Sequence, residues 1–152
     1  MYKQITPVMD YNMVALCRKP YHNHRKGCPN WAKKKGCPPH VKMFDKVYDL
    51  SKPIYAIWNV FNLKEHVDRM RENHPNWSDY QLKCCLYWQP KARKELKKEI
   101  IKFMKEHPDL DICTCPEGMG VNITKTMLSI DEQLEWSPET KTYQVVLAGT
   151  LK

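Results

Sequence analysis

A stretch rich in Pro, Gly, Cys and Lys, residues 17–40, is the feature that most limits what this chain can fold into. It contains Cys17, Cys28 and Cys37, and its apolar residues follow neither a helical nor a strand period, so we expect an irregular loop. A loop of this length without regular structure usually has a function or is held by an internal staple. Three thiols could supply that staple through a metal.

The residues around these cysteines favour a metal site. Gly27 and Gly36 each precede a cysteine and let the backbone turn closely around an ion, whereas prolines stiffen the chain after Cys28 and Cys37. Thiolates are soft ligands that suit zinc and iron–sulfur clusters. The spacing matches neither the paired knuckles of zinc ribbons nor the tight cysteine run of ferredoxins. The pattern predicts a metal centre and leaves iron and zinc both open.

A second group of thiols could complete the site. Cys115 is followed by proline, as Cys28 and Cys37 are, so we predict Cys115 as the fourth ligand and Cys113 as the fallback. Cys84 and Cys85 are adjacent in a predicted helix, where neighbouring side chains point about 100° apart. They are therefore expected to pack in the core, where cysteine behaves as a small apolar residue.

Histidines in the same loop are alternative ligands. His22, His24 and His40 could each replace a thiolate, and a histidine ligand would favour zinc. In an extended segment His22 and His24 would point to opposite faces, which makes joint binding of one metal unnatural. We interpret all three as exposed loop residues.

Composition limits the class of protein. The chain has 152 residues, enough for a single domain over 1–152 with its own core. No apolar run approaches the roughly 18 residues that span a bilayer, and the N-terminus lacks the pattern of a secretory signal. Seven cysteines in a cytoplasmic protein favour metal binding or thiol chemistry over disulfides. The net charge of +8 favours an anionic small molecule or nucleic acid as partner.

The predicted elements follow the order β-loop-α-β-α-α-α-β. Buried strands are expected at PIYAIWNVF and TYQVVLAGTL, and Asn62 and Ser78 are predicted to cap helices. The helix from Ser78 is expected to run to about Trp88, and Pro90 either opens a further helix or kinks a continuous one. Helices are also predicted over residues 41–50 and 120–130, with a loop at 109–118. We expect a small single-domain α/β sandwich whose long cysteine-rich N-terminal loop is stapled by a metal centre.

The loop also resembles a known family. Cys28-Pro-Asn-Trp-Ala-Lys-Lys-Lys-Gly-Cys37-Pro-Pro is similar to the C-P-x-Y-G-x-x-x-x-C-P-P signature of a family of cysteine-rich, predicted metal-binding proteins. Segments that begin at Leu86, Cys115 and Leu134 also look like segments of that family, although Ala32 stands where the family usually has glycine. The resemblance implies metal binding, usually as an iron–sulfur cluster. It implies no reaction and does not fix which cysteine completes the site.

Three functions remain open at this point. In the first, Cys17, Cys28 and Cys37 hold a [4Fe–4S] cluster whose open iron acts on an anionic or thiolated, nucleobase-like small molecule. In the second, Cys115 completes a cluster or Zn²⁺ site that staples a non-catalytic module for nucleic acid or a protein partner. In the third, Cys113 and Cys115 serve in a thiol redox or sulfur-relay protein. The sequence leaves open whether the protein is an enzyme.

Overall fold

The computed structural model describes residues 1–21 and 24–152. Its strands are β1 (Tyr2–Ile5), β2 (Ile54–Asn62), β3 (Asp111–Cys113) and β4 (Lys141–Gly149). Its α-helices are α1 (Phe44–Val47), α2 (Leu63–Asn73), α3 (Asp79–Leu82), α4 (Gln89–Glu106) and α5 (Ile123–Leu128). Short 3-10 helices lie at Tyr11–Arg18, Cys85–Tyr87 and Glu117–Met119. Within the described residues, no helix is both long and apolar enough to cross a membrane.

The strands form one antiparallel sheet in the order β1-β2-β4-β3. The two long strands, β2 and β4, lie at its centre, with Trp58 opposite Val145. Both were predicted from their runs of β-branched and aromatic residues, which suit a pleated surface packed on both sides. The structure confirms these two strands.

Helices cover both faces of the sheet. Successive strand residues point to opposite faces, so Ile57 packs with Phe103 of α4, whereas Trp58 packs with Phe44 of α1 and Met127 of α5. A third apolar cluster joins α2 to α3 at the end of β2. This arrangement confirms a small fold of helices on a sheet, and Cys113 packs in the cluster on the α1–α5 side.

Helix starts follow the predicted caps. The Asn62 side chain accepts a hydrogen bond from the Glu65 amide at 3.0 Å, at the start of α2. Ser78 and Gln81 form a reciprocal capping box at the start of α3. Each cap satisfies backbone donors that the first helical turn leaves without a partner.

Some elements are shorter than the sequence predicts. The helix expected from Ser78 to about Trp88 ends at Leu82, and the chain resumes as the 3-10 helix Cys85–Tyr87. The helix predicted over residues 41–50 is reduced to α1, because Tyr48 is extended and pairs with Leu151. Strand pairing with the C-terminus outweighs the helical pattern of this segment.

The predicted loop at 109–118 contains a strand. Ile112 of β3 pairs with Ala148 of β4, which extends the sheet by one edge strand. A strand this short has too few residues to show an alternating pattern, so the signal is absent from the sequence. The pairing matters because it fixes the chain immediately before Cys115.

Candidate metal centre

The N-terminal segment is tied to the turn that follows Cys115. The Asp10 amide donates to the Gly120 carbonyl at 2.7 Å, and the Asn122 amide donates to the Val8 carbonyl at 2.8 Å. Asp10 is also the N-cap of the 3-10 helix Tyr11–Arg18. These contacts place Cys17, near the end of that helix, on the same side of the molecule as Cys115.

Cys28 is held against Cys17 by the backbone. The Cys28 amide donates to the Cys17 carbonyl at 2.7 Å. The preceding Gly27 has φ +85, and a Cβ placed there would lie 2.7 Å from the same carbonyl oxygen. Only glycine adopts this left-handed conformation and tolerates so close an approach without strain. Gly27 therefore allows the backbones of Cys17 and Cys28 to approach this closely.

Pro38 connects the end of the loop to Cys115. This proline, next to Cys37, is fully buried. It packs on Gly118, where a Cβ would lie 3.0 Å from Pro38 Cδ and 2.8 Å from Cys115 Sγ. A Cβ at Gly36 would meet nothing within 4 Å. Of the two glycines before cysteines, Gly27 is thus required by its surroundings and Gly36 is not.

The Cys17 thiol is affected by neighbouring thiols. Burial raises its pKa, and the nearby Cys28 raises that pKa further. Glu117 and Cys37 also raise it, in that order. Like charges act in this way only when they lie close together, because they disfavour the ionised form of each neighbour.

The Cys115 thiol belongs to the same group. Burial raises its pKa to about 11, and the charges of Cys37 and Cys17 add to that effect. A hydrogen bond from the Gly118 amide acts in the opposite direction, because it stabilises the thiolate. The fold therefore brings the predicted fourth ligand into electrostatic contact with the N-terminal cysteines, although it lies far along the chain.

The thiols are gathered without forming a ready-made ion site. Among residues 1–21 and 24–152, no group of three or more His, Cys, Asp or Glu side chains is arranged to hold a metal ion. The donors that do lie near one another are mainly thiols, which are the ligands that iron–sulfur clusters and structural zinc use. A bound cation would displace the protons of these thiols. Its positive charge would offset the mutual repulsion of the resulting thiolates.

The remaining cysteines lie in different surroundings. Cys113 is 4% exposed in the core, and its thiol donates to Met119 Sδ at 3.4 Å. Burial raises its pKa to about 12. Cys84 and Cys85 are half-buried, not in the core as expected, and they lie at the N-cap and first residue of the 3-10 helix Cys85–Tyr87 rather than within one α-helix. The charge of Cys85 acts on Tyr21.

The alternative histidine ligands have other contacts. The His24 ring lies against the Tyr21 ring, with 4.7 Å between centroids. His40 is exposed, and its Nε2 lies 3.0 Å from the Ala32 carbonyl oxygen. His22 lies outside the described residues.

A cleft opens beside Cys115. Its volume is about 230 Å³, and its lining includes Glu117, Trp136 and Tyr143 together with Cys115. Trp136 is 69% exposed, and its Nε1 donates to Thr124 Oγ1 at 3.0 Å. That hydrogen bond fixes an open aromatic face next to the cysteine group.

Sequence reasoning did not single out Glu117 or Tyr21 as part of this region. Burial raises the pKa of the Glu117 carboxyl, which also acts on Cys17. Burial raises the pKa of Tyr21, and Cys28 is the next largest cause. Each residue is close in sequence to a predicted ligand, and that nearness is the one signal that could have found them.

No protein-family profile, curated protein or solved structure matches this chain. The resemblance of the cysteine loop to a metal-binding family therefore stays a prediction.

Proposed function

We propose that this protein binds an iron–sulfur cluster of the [4Fe–4S] type through Cys17, Cys28, Cys37 and Cys115. One observation carries the proposal: Gly118 packs against both the Cys115 thiol and Pro38, the neighbour of Cys37, so Cys115 lies beside the cysteine-rich loop. The charges of Cys37 and Cys17 also raise the pKa of this thiol. The metal would join that loop to the turn after β3 and act as a staple.

The donors favour a cluster over a single zinc ion. The gathered residues are thiols, and His40 is engaged elsewhere through its contact with the Ala32 carbonyl. In a cluster each thiolate binds a different iron, so the sulfur atoms can lie farther apart than four ligands of one ion. Bound Zn²⁺ at the same thiols is the alternative, and it would make the centre a structural staple for a module that binds nucleic acid or a protein.

The cleft beside Cys115 supports a second candidate, an enzyme. In this case Cys17, Cys28 and Cys37 hold the cluster, and Cys115 faces a ligand in the cleft. When bound, such a cluster supplies an open iron that acts as a Lewis acid. The exposed ring of Trp136 would stack on a planar, thiolated nucleobase-like ligand, and Tyr143 lines the same cleft. The walls of the cleft would orient that ligand toward the thiols.

The first experiment is anaerobic purification followed by analysis for iron, sulfide and zinc. We expect a brown protein with a broad absorption band near ~400 nm. Cys115→Ser should lower the iron content and the stability, whereas Cys113→Ser, the matched control two residues away at the end of β3, should keep the iron. A colourless protein with about one zinc per chain would replace the cluster by the structural zinc site. Full iron content in Cys115→Ser would remove Cys115 from the ligand set and favour the enzyme.

The enzyme candidate is tested by ligand binding. We expect 2-thiouracil to bind the iron-loaded protein in a calorimetric titration, and Trp136→Ala to weaken that binding. Leu86→Ala, which removes an exposed apolar side chain away from the cleft lining, is the control and should bind normally. Equal binding by the wild type and Trp136→Ala would contradict a stacking role for this cleft.

A further inference from the structure

The positive charge of this protein is concentrated in one segment. Residues 11–44, here called the basic segment, contain eight of the 25 Lys and Arg residues and none of the 17 Asp and Glu residues. The rest of the chain therefore has 17 basic and 17 acidic residues and is formally neutral, so the basic segment accounts for the whole net charge of +8. All eight of these cationic side chains are exposed.

These cations have no acidic partners within the described residues. The salt bridges there involve other residues, such as Lys64 with Asp68 and Lys83 with Glu139. The acids that border the segment are used for other contacts. Asp10 caps the first 3-10 helix, and Asp45 accepts a hydrogen bond from the Tyr11 hydroxyl. The basic segment thus presents cations that an anionic partner can neutralise.

Aromatic rings lie among these cations. The Arg18 guanidinium lies over the Trp31 ring, 5.5 Å from its centroid. Tyr21 is 50% exposed, and its ring is supported on one side by His24. Proteins that bind single strands combine a basic groove for the phosphates with aromatic rings on which bases stack. The basic segment has both components.

We infer that the basic segment binds single-stranded nucleic acid, with the run Lys33 to Lys35 on the phosphates and Tyr21 stacked on a base. Between residues 19 and 43, the described part of the chain forms neither a helix nor a strand. Reading a duplex in the major groove calls for a helix or a two-stranded ribbon, which favours a single strand. The inference rests on charge and exposed rings and is independent of which metal the thiols bind.

The experiment measures the anisotropy of fluorescein-labelled oligouridylate and oligodeoxyuridylate of about 12 nucleotides, a length within the range of single-strand sites. We expect K33Q/K34Q/K35Q to weaken binding about tenfold at low salt and to reduce the salt slope by about 2, since each phosphate contact on a single strand contributes about 0.7. The matched control K94Q/K97Q/K102Q removes the same charge from exposed positions on α4. It should keep most of the affinity and show the slope of the wild type.

The aromatic contact is tested with Tyr21→Ala and Tyr21→Phe. The alanine variant should weaken binding about tenfold, as loss of one stacked base does, whereas phenylalanine keeps the ring and should restore it. Iron and zinc analysis of each variant separates a lost nucleic-acid contact from a lost metal.

Equal weakening by both lysine triples, or tighter binding to a duplex or to phosphatidylserine vesicles, would overturn the inference. So would the absence of binding at about 50 mM salt, where electrostatic contacts are strong. Preference for one of the two oligomers would identify RNA or DNA as the source of the strand.

Discussion

The α4 side of the sheet and the basic segment are held together by different forces. Where α4 packs on the sheet, Phe103, Ile57 and Val146 are nearly or fully buried in one apolar cluster. In the basic segment Cys17, Cys28 and Cys37 are half-buried, and backbone hydrogen bonds and close glycine contacts determine the path. The first region is stable through burial of apolar surface. The second depends on a few polar contacts and, under the proposed function, on a bound metal.

Because of this difference, the stability of the fold depends mainly on the α4 side of the sheet, whereas the arrangement of the cysteines depends on the basic segment. Full burial of a large apolar side chain contributes about 1.5–3 kcal/mol, so a cluster of such residues supplies a large share of the folding free energy. Within the basic segment before α1, Pro38 and Gly27 are the buried residues in the described positions. We therefore expect that substitutions can damage either region largely without the other.

The largest effect is expected in the α4 cluster. Phe103→Ala should lower the free energy of unfolding by about 3–5 kcal/mol, because it removes a fully buried ring and leaves a cavity. Ile101→Ala, two residues away and 51% exposed, should change it by less than about 0.5 kcal/mol. Urea denaturation measures both. A similar loss in the two variants would mean that α4 does not stabilise the sheet through this face.

A smaller effect is expected where the loop meets Cys115. Gly118→Ala would put a Cβ 2.8 Å from Cys115 Sγ and 3.0 Å from Pro38 Cδ. Such overpacking should cost about 1–3 kcal/mol and lower the metal content by displacing the thiol. The control Gly36→Ala adds the same methyl group where nothing lies within 4 Å. Normal metal content in Gly118→Ala would show that Cys115 can move without loss of the centre.

The same contrast explains what the sequence could predict. The central strands and the caps at Asn62 and Ser78 depend on local patterns, and the structure confirms them. The nearness of Cys115 to Cys17 depends on contacts between distant segments, such as Asp10 with Gly120, that no local pattern encodes. Its prediction as the fourth ligand came from the proline after it. The close packing of Gly118 was invisible because its contacts come from Pro38 as well as from its own turn.

Removing the metal should lower hydrogen-exchange protection in the basic segment and leave protection in the sheet unchanged. After anaerobic chelation, we expect the Cys28 and Cys37 amides to lose hydrogen-exchange protection, because the staple no longer restrains the loop. The amides of β2 and β4 should keep theirs, since the apolar clusters on both faces are unchanged. Mass spectrometry of peptides from each region makes the comparison. Equal loss in the central strands would show that site and fold unfold as one unit.

The smallest effect concerns the turn that carries Trp136 into the cleft. The Glu135 carboxylate accepts hydrogen bonds from the Thr140 hydroxyl and from the amides of Thr140 and Glu139, which lower its pKa to about 2. The pKa of Glu135 in the folded protein lies below the ordinary value of about 4.3. The ionised carboxylate therefore stabilises the folded state fully above a pH of about 4.3. This stabilisation is lost as the pH falls from there toward 2.

Nuclear magnetic resonance titration of the Thr140 amide tests this linkage. The chemical shift of this amide should titrate with an apparent pKa well below the ordinary glutamate value of about 4.3. Glu135→Gln should abolish that titration. Glu139→Gln is the matched control: it removes the carboxylate that pairs with Lys83 and keeps the Glu139 amide as a donor to Glu135. If the wild-type amide titrates at the ordinary value, Glu135 does not organise the turn. The open face of Trp136 would then be set by its own bond to Thr124 alone.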